Sequence, residues 1–90
     1  MNFRVEYIPT ALGELANVWT PADSQLRQAI TRAAHAIDLR LARDPYAEGE
    51  SRPDNQYVLF ELPLGVTYEI DEEHHVVWVL HVWHIRRKSK

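Results

Sequence analysis

The spacing of apolar and polar positions changes repeatedly along this chain. Phe3, Val5 and Tyr7 alternate with Asn2, Arg4 and Glu6, the period of a strand buried on one face. Pro9 ends the alternation. Leu12, Leu15, Ala16 and Trp19 then fall at helical spacing and predict a short amphipathic helix over 10–19. Thr20-Pro21-Ala22-Asp23 reads as a fresh helix start, with Thr20 as the cap, Pro21 at the first helical position and Asp23 completing a capping-box pattern. The second helix is the strongest local pattern. Leu26, Ala29, Ile30, Ala33, Ile37 and Leu41 line one face, and Gln28, Thr31, Arg32, His35 and Arg43 point away. Leu39 lies on the polar side. Asp44-Pro45 stops the helix, because the residue before a proline disfavours the helical region.

Residues 45–55 read as a polar loop with two prolines and one glycine. Gln56–Leu62 and Val66–Asp71 read as a hairpin around a Pro63-Leu64-Gly65 turn. After a second turn, His75–Ile85 is a long strand. It carries Val76, Trp78, Leu80 and Val82 on one face, and Val77, Val79, His81, Trp83 and Ile85 on the other. A strand apolar on both faces is central or is covered on its second face. The order of one strand, two helices and three strands predicts an α+β domain, an antiparallel meander carrying a helical pair.

Composition narrows the classes. Ninety residues make a single domain, 1–90. Without cysteine, disulfides and thiolate metal sites are excluded. No apolar run approaches the roughly 20 residues of a membrane span, and the N-terminus lacks the apolar stretch of a signal peptide, so a soluble, cytoplasmic protein is expected. The charge is uneven: residues 1–79 sum to -7, and the last eleven carry four bases and no acid, +4, for a net -3. Such an acidic body with a basic end directs attention to an anionic partner.

Three stretches resemble the RelE/ParE superfamily of toxins from bacterial type II toxin–antitoxin modules. FRVEYIPTALGELANVW is similar to the family's first strand and first helix, with Glu14 where Asp is frequent. AITRAAHAIDLRLARDPYAEGES matches the second helix and its following loop, and LPLGVTYEIDEEHHVVWVLHVWHIRRK matches the final hairpin and strand, closing on H-x-R-R. The resemblance spans nearly the whole chain and implies a small antiparallel sheet with two N-terminal helices packed on it. It implies an antitoxin partner and leaves three activities open: metal-independent cleavage of mRNA on the ribosome, poisoning of DNA gyrase, and a non-toxic, protein-binding role.

Cleavage of this kind needs a group to take the 2′-hydroxyl proton, a group to protonate the leaving oxygen, and cations to stabilise the charge between them. His84 and Arg86 match the H-x-R-R ending and are the candidate catalytic pair. Imidazole is the usual group for proton transfer near neutral pH, and a guanidinium grips phosphate in two places. Period two puts Arg86 on the face of His84 and Arg87 on the other. Arg87, Lys88 and Arg52 are the candidate phosphate- or nucleic-acid-binding residues. Against these readings stand simpler ones: His84 packing beside Trp83, a solvated Arg86–Lys90 end, and a local salt bridge between Glu50 and Arg52. The sequence also lacks the Arg that many of the family's ribonucleases carry on the strand matching 65–71. His74 and His75 are adjacent, and His81 and His84 differ by an odd number, so neither pair shares a strand face, and there is no H-x-H spacing. No metal site is expected, and no motif calls for a cofactor. Trp19 and Trp78 are expected in the core, and Trp83 near a partner.

Overall fold

The computed structural model of the chain describes residues 2–86. Its elements run β1 (Arg4–Tyr7), α1 (Pro9–Trp19), α2 (Ser24–Arg43), a one-turn α3 (Pro45–Glu48), β2 (Glu50–Arg52), β3 (Gln56–Glu61), β4 (Leu64–Asp71) and β5 (Val76–His84). The strands form one sheet in the order β1-β5-β4-β3-β2. β2 to β5 pair antiparallel, and β1 joins β5 in parallel. The α+β class, the helical pair and the meander agree with the sequence reading. β5 lies between β1 and β4, as its doubly apolar pattern requires.

One face of the sheet forms the core. Leu59, Leu64, Val66, Tyr68, Val77, Val79 and Val82 pack against Ala11 of α1 and Ile30, Ala33, Ile37 and Leu41 of α2, all 4% exposed or less. Fully burying a side chain of this size contributes about 1.5–3 kcal/mol, so this layer supplies the main driving force. Leu39 is 59% exposed, on the polar side of α2 as its position predicts.

Several expectations are corrected. The cap of α2 is Asp23, whose carboxylate accepts from the Leu26 amide at 2.8 Å. Thr20 instead ends α1, its hydroxyl and amide both donating to the Ala16 carbonyl. The buried face of α1 is Ala11, with Leu15 and Val18 beside it. Leu12 and Trp19 are exposed, and Trp19 lies under the Arg27 guanidinium, 5.2 Å from the ring centre, rather than in the core. The hairpin turns at Leu62-Pro63, through a cis peptide bond, and Leu64 and Gly65 already belong to β4.

The segment expected as a loop is ordered. Asp44 ends α2 and also caps α3, accepting from the Ala47 amide. Pro45 is buried, and its carbonyl accepts from the Tyr68 hydroxyl at 2.6 Å. β2 then adds a fifth, edge strand, and the chain reverses over 53–55 with Asp54 and Asn55 at φ of 66° and 60°, a region these two residue types tolerate. Arg40 binds Glu48 and Glu61, each at 2.7 Å, and Arg43 adds a 3.0 Å contact to Glu48. These ion pairs tie α2 to α3 and β3.

β5 carries a bulge. Thr67 faces His81 across the ladder, but Tyr68 faces Val79, so Leu80 is the extra residue. The bulge shifts the alternation by one position. Val77 and Val79 before it and Val82 after it therefore share the core face, which a uniform period of two does not give. Trp78, His81 and Trp83 fall on the opposite face.

Candidate functional site

The end of β5 and the connection between the two long helices enclose a groove of about 340 Å³. Its lining is Asn17 and Val18 from α1, Pro21 and Ala22 from the connection, Leu26 from α2, and His84 and Arg86 from the close of β5. Each wall has a local cause. Asn17 and Val18 occupy the last turns of α1. Pro21 and Ala22 lie between Thr20, which ends α1, and Asp23, which starts α2. His84 faces Leu64 in the ladder, and the Ile85 amide donates to the Pro63 carbonyl at 2.8 Å, keeping the chain on the sheet as it reaches Arg86.

The structure thus brings together His84 and Arg86. Both lie beyond the bulge, so the shift that overturns the face assignment of Val82 leaves their mutual spacing intact. His84 is half-buried and Arg86 exposed, an arrangement with an imidazole at the wall and a cation at the mouth. With the Asn17 carboxamide across the groove, it offers donors to an anion and a proton acceptor beside it.

Arg52 does not join them. It pairs Gln56, which pairs Glu69 and then Trp78, so it lies on the face away from the helices. Three strand spacings and five residues along the strands separate it from His84, about 20 Å. Its guanidinium instead contacts Glu50 at 3.1 Å, the local salt bridge that the sequence allows. Arg87 and Lys88 lie outside the described residues. Other bases of the body are engaged in the same way: Arg4 with Glu6, and Arg40 and Arg43 with Glu48.

The second face of the sheet carries Glu6, Glu50 and Glu69 with Arg4 and Arg52, around Trp78, Thr67 and His81. Trp83 lies over Gly65, where a Cβ would meet the indole at 2.6 Å, and its ring meets the edge of Phe60. Trp78 is half-buried on this face rather than in the core between sheet and helices.

Sequence reasoning missed Glu14 and Asn17. Glu14 accepts from the Val82 amide at 2.9 Å and lies 3.4 Å from the His81 ring. Its carboxyl is held below the ordinary range, first by the Val82 hydrogen bond. Its signal in the sequence is that Glu14 is the single charge of α1.

No family model and no curated protein sequence matches the chain. Solved structures do match in fold. The RelBE2 toxin–antitoxin complex of Mycobacterium tuberculosis superposes with a TM-score of 0.71 at 23% identity, over 93% of this chain and 99% of the other. The intact RelBE complex of Escherichia coli gives 0.59 at 19% identity, over 94% and 99%. The archaeal RelE–RelB complex of Pyrococcus horikoshii gives 0.55 at 11% identity, over 98% and 100%. Over its described residues the chain has the RelE fold.

Proposed function

We propose that the chain is the toxin of a type II toxin–antitoxin module, held inactive by a cognate antitoxin protein in the bacterial cytoplasm. The observation that carries this reading is the end-to-end likeness to RelE chains whose structures were solved with antitoxins. The fold alone does not choose a chemistry, so the activity is assigned from the groove. His84 takes the proton of an RNA 2′-hydroxyl, whose oxygen attacks the adjacent phosphorus as the bond from phosphorus to the 5′-oxygen breaks. Arg86 steadies the charge that grows on the phosphate, and the leaving 5′-oxygen takes its proton from water. The cleavage needs no metal and takes place on ribosome-bound mRNA, where the ribosome, rather than this acidic body, holds the RNA in place.

A second reading rests on the apolar part of the same groove. Val18, Pro21, Ala22 and Leu26 form a wall suited to a protein segment. It supports a toxin that acts by binding, on DNA gyrase, or a non-toxic member that only holds its partner.

The test is inducible expression of the chain alone in a bacterium, followed by co-expression with a short neighbouring reading frame that encodes an antitoxin. Arrest of growth that the second frame relieves supports the proposal. Normal growth with folded protein present removes the toxin reading.

A further inference from the structure

β5 loses its outer neighbour halfway along. β1 pairs with it from Val76 to Val79, and the Ile8 amide closes that edge on the Val79 carbonyl at 3.1 Å. The bulge follows at once, and β5 continues to His84 with β4 on one side. Amides along such an edge must find water or a side chain. Val82 is 4% exposed, which makes an unpaired amide there costly, and its N–H donates to the Glu14 carboxylate at 2.9 Å. The carboxylate therefore occupies the place where a further strand would supply a carbonyl.

The bond joins the two walls of the groove. Glu14 lies three and four residues before Asn17 and Val18, one turn along the same side of α1. Val82 lies two residues before His84 on the same face of β5. We propose that Glu14 is the positioning residue of the groove: by holding the Val82 amide it fixes α1 against the free end of β5 and sets where His84 stands relative to Asn17 and Val18. The inference rests on the groove being the functional site, but its geometry is testable without any activity.

Amide hydrogen exchange and His84 ring chemical shifts, both by NMR on the full chain, provide the test. Glu14→Ala should raise exchange at Val82 by about tenfold or more, the range for a lost hydrogen bond to a charged group. Exchange in the β3–β4 ladder should stay native, and the chemical shifts of the His84 ring and the Val18 methyl groups, which line the same groove, should move. Glu14→Gln keeps an acceptor oxygen and should restore both. His81→Ala, which removes the 3.4 Å neighbour and leaves the amide bond, should leave Val82 protected. Native protection at Val82 in Glu14→Ala would overturn the proposal. So would uniform loss across the sheet, or a Gln variant no better than the Ala variant. Loss of toxicity is a separate readout: if the native chain is not toxic, the exchange result still decides the role of Glu14.

Discussion

Gly49 and Tyr68 should be energetically coupled, and the coupling tests how the 45–52 segment is fastened to the sheet. Gly49 has φ -109° and ψ 172°, a backbone any residue adopts, so its small size and not its conformational freedom is what the site needs. A Cβ there would fall on the Tyr68 hydroxyl and 2.9 Å from Cζ. Tyr68 is fully buried and cannot swing into solvent. Gly49→Ala therefore forces either β2 or the tyrosine aside, a strain of about 1–3 kcal/mol. Tyr68→Phe removes the donor to the Pro45 carbonyl and should cost about 1–3 kcal/mol by leaving that acceptor unpaired. With the hydroxyl gone, the worst contact of the added methyl group is removed, so the double variant should be less destabilised than the sum, by more than about 0.5 kcal/mol. The assay is urea denaturation of the four proteins, with thermal melts as a check at about 4–8 °C per kcal/mol for a domain of this size. Additive effects, or a Gly49→Ala variant as stable as the native chain, would show that Gly49 and Tyr68 are not coupled.

Three further outcomes are expected. Glu48 is held below its ordinary value of 4.5, first by the hydrogen bond from Arg40 and then by that from Arg43. Its contribution is complete above that value and is lost as pH falls through the lower folded value. Urea midpoints measured down to about pH 3 should therefore fall less steeply in Glu48→Gln, and an unchanged acid limb would count against the Arg40–Glu48–Glu61 tie. Burial pushes the Tyr68 phenol from 10.0 up to about 12; the folded chain keeps that proton longer, so stability falls as pH rises above 10, and Tyr68→Phe should make this alkaline fall shallower. Arg52→Ala should leave toxicity unchanged while Arg86→Ala reduces it at least about tenfold, in line with loss of a charge-stabilising group; equal effects in a growth assay would mean the groove has been misassigned.

The parts of the fold legible in the sequence are those where one period dominates. Ile30, Ala33, Ile37 and Leu41 face away from a side that is polar except for Leu39 and Ala36, so the buried face of α2 follows directly. α1 has Leu12, Leu15, Ala16, Val18 and Trp19 around much of its circumference, and the pattern does not say which side meets β5. β5 is apolar on both faces, so the slip at Leu80 leaves no mark, and Val82 is assigned to the wrong side. The segment after Pro45 is polar, and its order comes from Tyr68 and Arg40, which are distant in sequence. In the groove, the shared side of His84 and Arg86 is legible because both follow the bulge. That Arg52 lies far from His84 is not legible, because only the strand order separates them. The contact of Glu14 with Val82 is not legible, because a lone acid on a helix becomes informative only when the edge of β5 is seen to end beside it.

Cleavage of mRNA by the groove of His84 and Arg86, as proposed above, is open to direct test. The most direct measurement is a map of mRNA 5′ ends after induction of the native chain and of His84→Ala, with antitoxin binding used to confirm that the variant is folded. The expected result is growth arrest with new 5′ ends for the native chain, and neither for the variant. Arrest without new ends, or a His84→Ala variant that still cuts, would contradict it.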